Sequence, residues 1–107
     1  MTSRATRTRS DEPPTLTALR ARRDEIVGIA AAHGASNVRV FGSVARGTAQ
    51  ASSDVDLLVD LESGRTLIDQ ISLWRDLEAL LGVRVDVVSA GGLTERDGDI
   101  RDDALAL

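Results

Sequence analysis

Two aspartates, Asp54 and Asp56, stand either side of a single valine in Ser53-Asp54-Val55-Asp56-Leu57-Leu58-Val59. On an extended chain, residues i and i+2 project to one face with Cα atoms ~6.6 Å apart. Two ionised carboxylates so placed repel each other. A divalent cation relieves that repulsion, and Mg²⁺ needs only one or two protein carboxylates beside water and phosphate oxygens. By itself, Asp-x-Asp fits the solvent face of an edge strand better than a metal site.

Two further features change that balance. Gly42-Ser43 follows the β-forming run Val38-Arg39-Val40-Phe41 directly. Glycine lets a phosphate approach the backbone closely, the N–H groups of the turn point at an anion, and the Ser43 hydroxyl adds a donor. Ten residues separate Ser43 from Asp54, enough to turn and return as the neighbouring strand. Asp86 then interrupts the β-branched run Val83-Arg84-Val85-Asp86-Val87-Val88. If that run lies beside the strand of Asp54 and Asp56, three carboxylates converge. With two metal ions ~3.5–4 Å apart, such a cluster suits phosphoryl or nucleotidyl transfer. Arg46 could bond a phosphate bidentately, or be an exposed turn residue.

Positioning these groups requires a small set of elements. Leu16, Leu19, Ile26 and Ala30 recur at helical spacing, so a helix is predicted from Leu16 to His33, with Thr15 as N-cap and Gly34 just past its end. Strands are predicted at Val38–Phe41, Asp54–Val59 and Val83–Val88, and a turn at Gly42–Gly47. Glu62–Arg65 turns into a second long helix. Thr66 and Asp69 have capping-box spacing, and Gly82 closes that helix. Its predicted apolar stripe is Leu67, Ile71, Trp74, Leu77 and Leu81, widened by Ile68 and Leu80. After an Ala90–Gly92 loop, a short last helix starts near Thr94, docked by Ile100, Ala104 and Leu105. The fold class is α/β (α+β): a small mixed sheet of three or more strands with helices packed on it. Met1 to Pro14, poor in apolar residues, reads as a flexible arm, and residues 15–107 as the domain.

Composition narrows the function classes. The chain has 107 residues, a net charge of −4 and no cysteine. Thiolate chemistry and cysteine-bound zinc are excluded. All thirteen basic residues are Arg, and Arg4, Arg7, Arg9, Arg20, Arg22 and Arg23 gather near the N-terminus, read as solvated. The acidic balance argues against nucleic acid as a stable partner. No apolar run reaches the ~20 residues of a membrane span, and no secretory leader is expected, so a cytoplasmic location is. Aromatic residues are scarce, so the core must be aliphatic.

Val40-Phe41-Gly42-Ser43-Val44-Ala45-Arg46-Gly47 followed by Ser53-Asp54-Val55-Asp56-Leu57-Leu58-Val59-Asp60 resembles the nucleotidyltransferase superfamily related to DNA polymerase β. More narrowly, it resembles the minimal nucleotidyltransferases that pair with HEPN proteins in bacterial toxin–antitoxin systems. The resemblance runs from about Asn37 to Leu107 and includes Gly64-Arg65-Thr66-Leu67 and Val85-Asp86-Val87-Val88. It implies that Gly42 and Ser43 hold the β- and γ-phosphates of ATP and that Asp54 and Asp56 bind Mg²⁺. Asp86 would bind the catalytic metal or accept the proton of the attacking hydroxyl. It further implies an antitoxin that moves AMP onto a tyrosine of a HEPN ribonuclease toxin. A chain this short leaves no room for a second substrate domain, so an external macromolecular acceptor is expected. A transferase acting on tRNA or a small molecule, and a non-catalytic antitoxin that neutralises by contact, remain alternatives.

Other residues carry lesser expectations. Gly47 fits a positive-φ turn. Asp60 is expected to cap or turn at its strand end, Arg65 to face solvent, Arg84 to pair with Asp86, His33 to contact a helix C-terminus, and Trp74 to lie in the core.

Overall fold

A computed structural model of the chain describes residues 12–107. Most of the predicted arm, with Arg4, Arg7 and Arg9, lies outside the described residues; Pro13 and Pro14 are irregular. The elements are α1 (Leu16–Ala21), α2 (Arg23–Ala32), β1 (Ala35–Phe41), α3 (Gly42–Arg46), β2 (Val55–Leu61), α4 (Leu67–Leu81), β3 (Val85–Ser89), two 3₁₀ turns (Ala90–Gly92 and Glu95–Asp97), α5 (Gly98–Asp103) and β4 (Leu105–Ala106).

The sheet order is β3-β2-β1-β4. β1 runs antiparallel to β2 and β4, while β2 and β3 are parallel, joined through α4. A parallel neighbour requires a crossover, and α4 supplies it. One face of the sheet is packed by helices. Leu19, Ile26 and Ala30 from α1 and α2, and Leu73, Leu77 and Leu81 from α4, meet the alternating Val40, Val55, Leu57, Val59, Val85 and Val87 in one aliphatic core. Leu58 and Phe41 are also buried, outside that cluster.

The predicted first helix is in fact two. Arg22 breaks it at φ −111°, ψ 22°. The break lets the Arg22 guanidinium donate to the Leu80 carbonyl at 3.0 Å, one of the C-terminal carbonyls of α4 that has no partner within its own helix. Thr15 caps α1 as expected, accepting from Ala18 N–H, and the Thr66–Asp69 capping box of α4 is present. β1 begins three residues earlier than predicted, at Ala35, because the alternation is interrupted. Asn37 takes φ 51° and the register slips between Ser36 and Arg39. Asp60 holds that bulge: it accepts from Asn37 Nδ2 at 3.1 Å and Arg39 Nη2 at 2.7 Å. Asp60 therefore sits within β2 as an ion-pair partner rather than as a cap.

The stripe predicted for α4 also shifts. Leu73, Leu77 and Leu81 face the core, whereas Leu67 and Ile68 are exposed and Trp74 keeps 36% of its surface in water. The helix carries two apolar stripes roughly a quarter-turn apart, and the sheet takes one. Gln70 and Glu78 share the inward face for another reason: the free edge of β3. Gln70 Nε2 donates to the Val87 carbonyl at 2.6 Å, and Glu78 Oε2 accepts from Val85 N–H at 2.9 Å. Two backbone groups on that edge are thereby satisfied by helix side chains, which blunts edge-to-edge pairing.

The last predicted helix divides into a 3₁₀ turn capped by Thr94 and Asp97, then α5. Leu105 does not dock as predicted; it is exposed on a short fourth strand that the sequence reading missed, and Leu107 is buried instead. Among the described residues, no helix is long and apolar enough to cross a membrane.

Candidate active site

Gly42 closes β1 and opens α3, so the predicted turn is a short helix. Its φ of +75° suits glycine, which enters the left-handed region without the steric cost of a side chain. A second reason is tertiary: a Cβ on Gly42 would overlap Oδ2 of Asp56. The glycine at the end of β1 and the aspartate of β2 are thus pressed together, as Phe41 and Asp56 are cross-strand partners. Ser43 lies one residue on, half-buried, and its carbonyl accepts from Thr48 N–H at 2.9 Å. Gly47 ends α3 at φ 76°, the positive-φ position expected of it.

Asp86 is the register partner of Asp56 across the parallel β2–β3 ladder. The conditional expectation that β3 flanks β2 therefore holds, and strand spacing puts the two backbones ~4.8 Å apart. Asp54 sits immediately before β2 rather than within it. Arg84, expected opposite Asp86, instead places Nε 3.6 Å from Asp54 Oδ1.

Asp56 is the electrostatic focus of this cluster. Its carboxyl is pushed up from 3.8 to about 6. Burial beside the apolar Phe41 and Leu58 is the largest cause, followed by the negative charges of Asp86 and then Asp54. The Arg46 guanidinium opposes the rise. Arg46 itself is ion-paired with Asp103 of α5, a partner 57 positions away in sequence that the sequence reading did not anticipate. No local pattern signals such a pair. The arginine therefore has a fixed anchor on one side and the carboxylate cluster on the other.

Among the described residues, no three acidic, histidine or cysteine side chains already close on one point as a finished metal cage. The donor set nonetheless fits a hard divalent cation. It consists of carboxylate oxygens, the ligands such a cation prefers, and Asp56 carries a charge burden that the cation would relieve.

The remaining candidates fall outside the cluster. Arg65 forms ion pairs with Glu62 and Asp69 at 2.7 and 3.4 Å. His33 caps α2 and pairs with Asp76 Oδ2 at 2.7 Å.

Comparison with known proteins bears on the family and the fold. The family described as nucleotidyltransferase domain matches residues 24–105. The protein adenylyltransferase MntA of Thermococcus cleftensis is 45% identical over 78 residues, spanning 65% of this chain and 79% of that protein. A solved structure described as a candidate minimal nucleotidyltransferase aligns with a TM-score of 0.77 at 53% identity, over 88% of this chain and 97% of the other. A crystal structure of a toxin–antitoxin with AMP-PNP aligns with a TM-score of 0.68 at 20% identity, over 78% of this chain and 69% of that one, and shares the fold.

Proposed function

The chain is a minimal member of the nucleotidyltransferase domain family, and from that premise we propose that it transfers AMP from ATP to a hydroxyl of a partner protein and acts as an antitoxin. The partner is a HEPN-type ribonuclease toxin and the acceptor a tyrosine. One observation carries the catalytic part: Asp56 stands between Gly42, which approaches it only because it lacks a Cβ, and Asp86, its register partner on β3. The protein and toxin parts are supported by the likeness to a protein adenylyltransferase and to toxin–antitoxin structures.

Each residue then has a task. The backbone at Gly42 and Ser43, with the Ser43 hydroxyl, holds the β- and γ-phosphates of ATP. Arg46, anchored on Asp103, supplies positive charge beside them. Asp54, Asp56 and Asp86 would hold Mg²⁺, as two ions. When bound, the metal supplies charge neutralisation at the α-phosphate and lowers the pKa of the attacking hydroxyl. The acceptor oxygen forms a bond to the α-phosphorus while the bond from that phosphorus to the bridging oxygen breaks. The electron pair leaves with pyrophosphate, and the hydroxyl proton passes to a carboxylate oxygen of Asp86. Positioning and electrostatic stabilisation carry most of such a step.

The test uses ATP labelled at the α-phosphate, the partner protein, total tRNA and Mg²⁺. Label is expected on the partner protein, to fall by roughly 10²–10³-fold in Asp54→Asn and Asp56→Asn, and to vanish with a chelator. Label on tRNA alone would move the acceptor to RNA. Full toxin neutralisation by both variants, with no transfer by the wild type, would make the protein a contact antitoxin.

A further inference from the structure

We infer that Gln70 and Glu78 of α4 are positioning residues for Asp86: their side chains bracket that aspartate on the open edge of β3 and fix where its carboxylate meets the metal. This rests on the reading of Asp86 as a metal ligand of the transferase and adds what holds it there.

The need arises from strand order. β2 lies between β3 and β1, so Asp56 stands on a strand paired on both sides, and Gly42 packs against its carboxylate. Asp86 has neither support. Its strand lies at the edge of the sheet with β2 as the neighbour it pairs with, and Asp86 is the second residue of that strand. The Asp86 side chain is exposed and has no hydrogen-bond or ion-pair partner among the described residues. Its placement is therefore inherited from its own backbone.

The two helix side chains hold that backbone where the ladder does not. The Arg84 carbonyl turns to β2 and accepts from Val55 N–H at 2.9 Å. By strand alternation Asp86 turns its own backbone groups the same way, and Val85 and Val87 turn theirs to the open edge. Both of those residues are met by α4: Glu78 Oε2 accepts from Val85 N–H at 2.9 Å, and Gln70 Nε2 donates to the Val87 carbonyl at 2.6 Å. Protecting an edge requires only a charge or a cover somewhere along it. These bonds fall instead at the two residues flanking the carboxylate. Between Gln70 and Glu78, Leu73 and Leu77 anchor α4 in the core, so Asp86 takes its position from the most rigid part of the molecule. Groups that build a metal or catalytic site must be held within ~0.5 Å, and a misplacement of about 1 Å costs ~10²-fold in rate. An edge strand held on one side alone does not meet that tolerance.

The test separates positioning from general stability. Gln70→Met keeps the length of the side chain but cannot donate. Glu78→Ala removes the acceptor, and Glu78→Gln keeps one. Each is made alone and in combination with Asp86→Asn, and melting curves show which variants are folded at the assay temperature. Mn²⁺ affinity is read by electron paramagnetic resonance in the presence of a non-hydrolysable ATP analogue. AMP transfer to the HEPN partner protein is read at varied Mg²⁺ and ATP. Gln70→Met and Glu78→Ala are expected to weaken Mn²⁺ binding about fivefold or more and to lower the maximal transfer rate ~10–10²-fold. The KM for ATP should hold, because Gly42 and Ser43 are untouched, and Glu78→Gln should return both readings to near the wild-type values. On Asp86→Asn the same changes should have no further effect, since they act through that carboxylate. Unchanged Mn²⁺ affinity in Gln70→Met and Glu78→Ala overturns the proposal. So do losses that add in full to those of Asp86→Asn, which would make the bonds merely structural. Unchanged Mn²⁺ affinity in Asp86→Asn also overturns it, by removing Asp86 from the metal site. If the wild type binds Mn²⁺ but transfers no AMP, the transferase reading fails, and the Mn²⁺ affinities of the same variants still decide this inference.

Discussion

Asp56 is held against its own charge. An ordinary aspartate is ionised well below neutrality, yet burial and two neighbouring carboxylates push this one up to about 6. The consequence for stability has a definite sign. Between about pH 4 and 6 the unfolded chain has already released this proton while the native state keeps it, so the native state binds more protons. Stability from this group therefore falls as pH rises through that window, and the penalty is complete above it. Asp56→Asn removes the group, so its melting temperature in chelator should gain on the wild type from pH 4 to 6 and hold a constant lead above. A pH-independent difference would mean that Asp56 is not strained by its surroundings. Added Mg²⁺ should shrink the lead, because metal ligation favours the ionised form. Gly42 belongs to the same strain. Gly42→Ala meets a left-handed backbone that costs ~1–2 kcal/mol and an overlap with the Asp56 carboxylate. It should lower the melting temperature and abolish transfer. Combining it with Asp56→Ala should recover stability but not activity, and a double-mutant cycle by thermal denaturation would read the recovered part.

At the scale of elements, α4 has three functions. Leu73, Leu77 and Leu81 fill the core, its length carries the chain from β2 back to a parallel β3, and Gln70 and Glu78 close the free edge of that strand. Glu78→Ala would leave Val85 N–H, part-buried, without its acceptor, at a cost of about 1–3 kcal/mol. Glu78→Gln keeps an acceptor oxygen and should retain most of the stability, as denaturant titration would show. Helical spacing in the sequence was enough to find α4, its capping box and its closing Gly82. It placed Leu77 and Leu81 in the core, but it grouped Leu67 and Trp74 with them and missed Leu73, since both stripes are apolar at helical spacing and only the position of the sheet distinguishes them. The α1–α2 break was equally invisible, because the partner it gives Arg22, the Leu80 carbonyl, lies far along the chain.

For the molecule as a whole, the C-terminal segment decides how the site is held. α5 carries Asp103 to Arg46, and β4 then adds to β1. Leu107 N–H donates to the Val38 carbonyl at 3.1 Å, and Arg20 Nη2 donates to the Ala106 carbonyl at 2.8 Å. The segment thus ties α1, β1 and α3 together. Leu107 is 9% exposed. Leu107→Ala should cost about 2 kcal/mol, the low end for a core leucine. It should also weaken nucleotide-dependent stabilisation, because β1 leads directly into Gly42. A melting curve with and without Mg²⁺ and ATP measures both effects; unchanged stability would mean that β4 does not brace β1.

The sequence by itself brought forward the candidate groups. Gly42-Ser43, Asp54-x-Asp56 and Asp86 stand out there by residue type and spacing, and the proposed transfer rests on them. The sequence also determined the helix between Thr66 and Gly82 and the outer ends of the helical stretch between Thr15 and Gly34, though not its break at Arg22, since caps are local contacts. Tertiary structure decided the rest. It made Asp86 the partner of Asp56, turned Arg84 to Asp54, gave Arg46 its anchor at Asp103 and pressed Gly42 against a carboxylate. Each of these joins residues distant in the chain. Which pairs meet depends on strand order and helix packing, which the hydrophobic core settles as a whole rather than residue by residue.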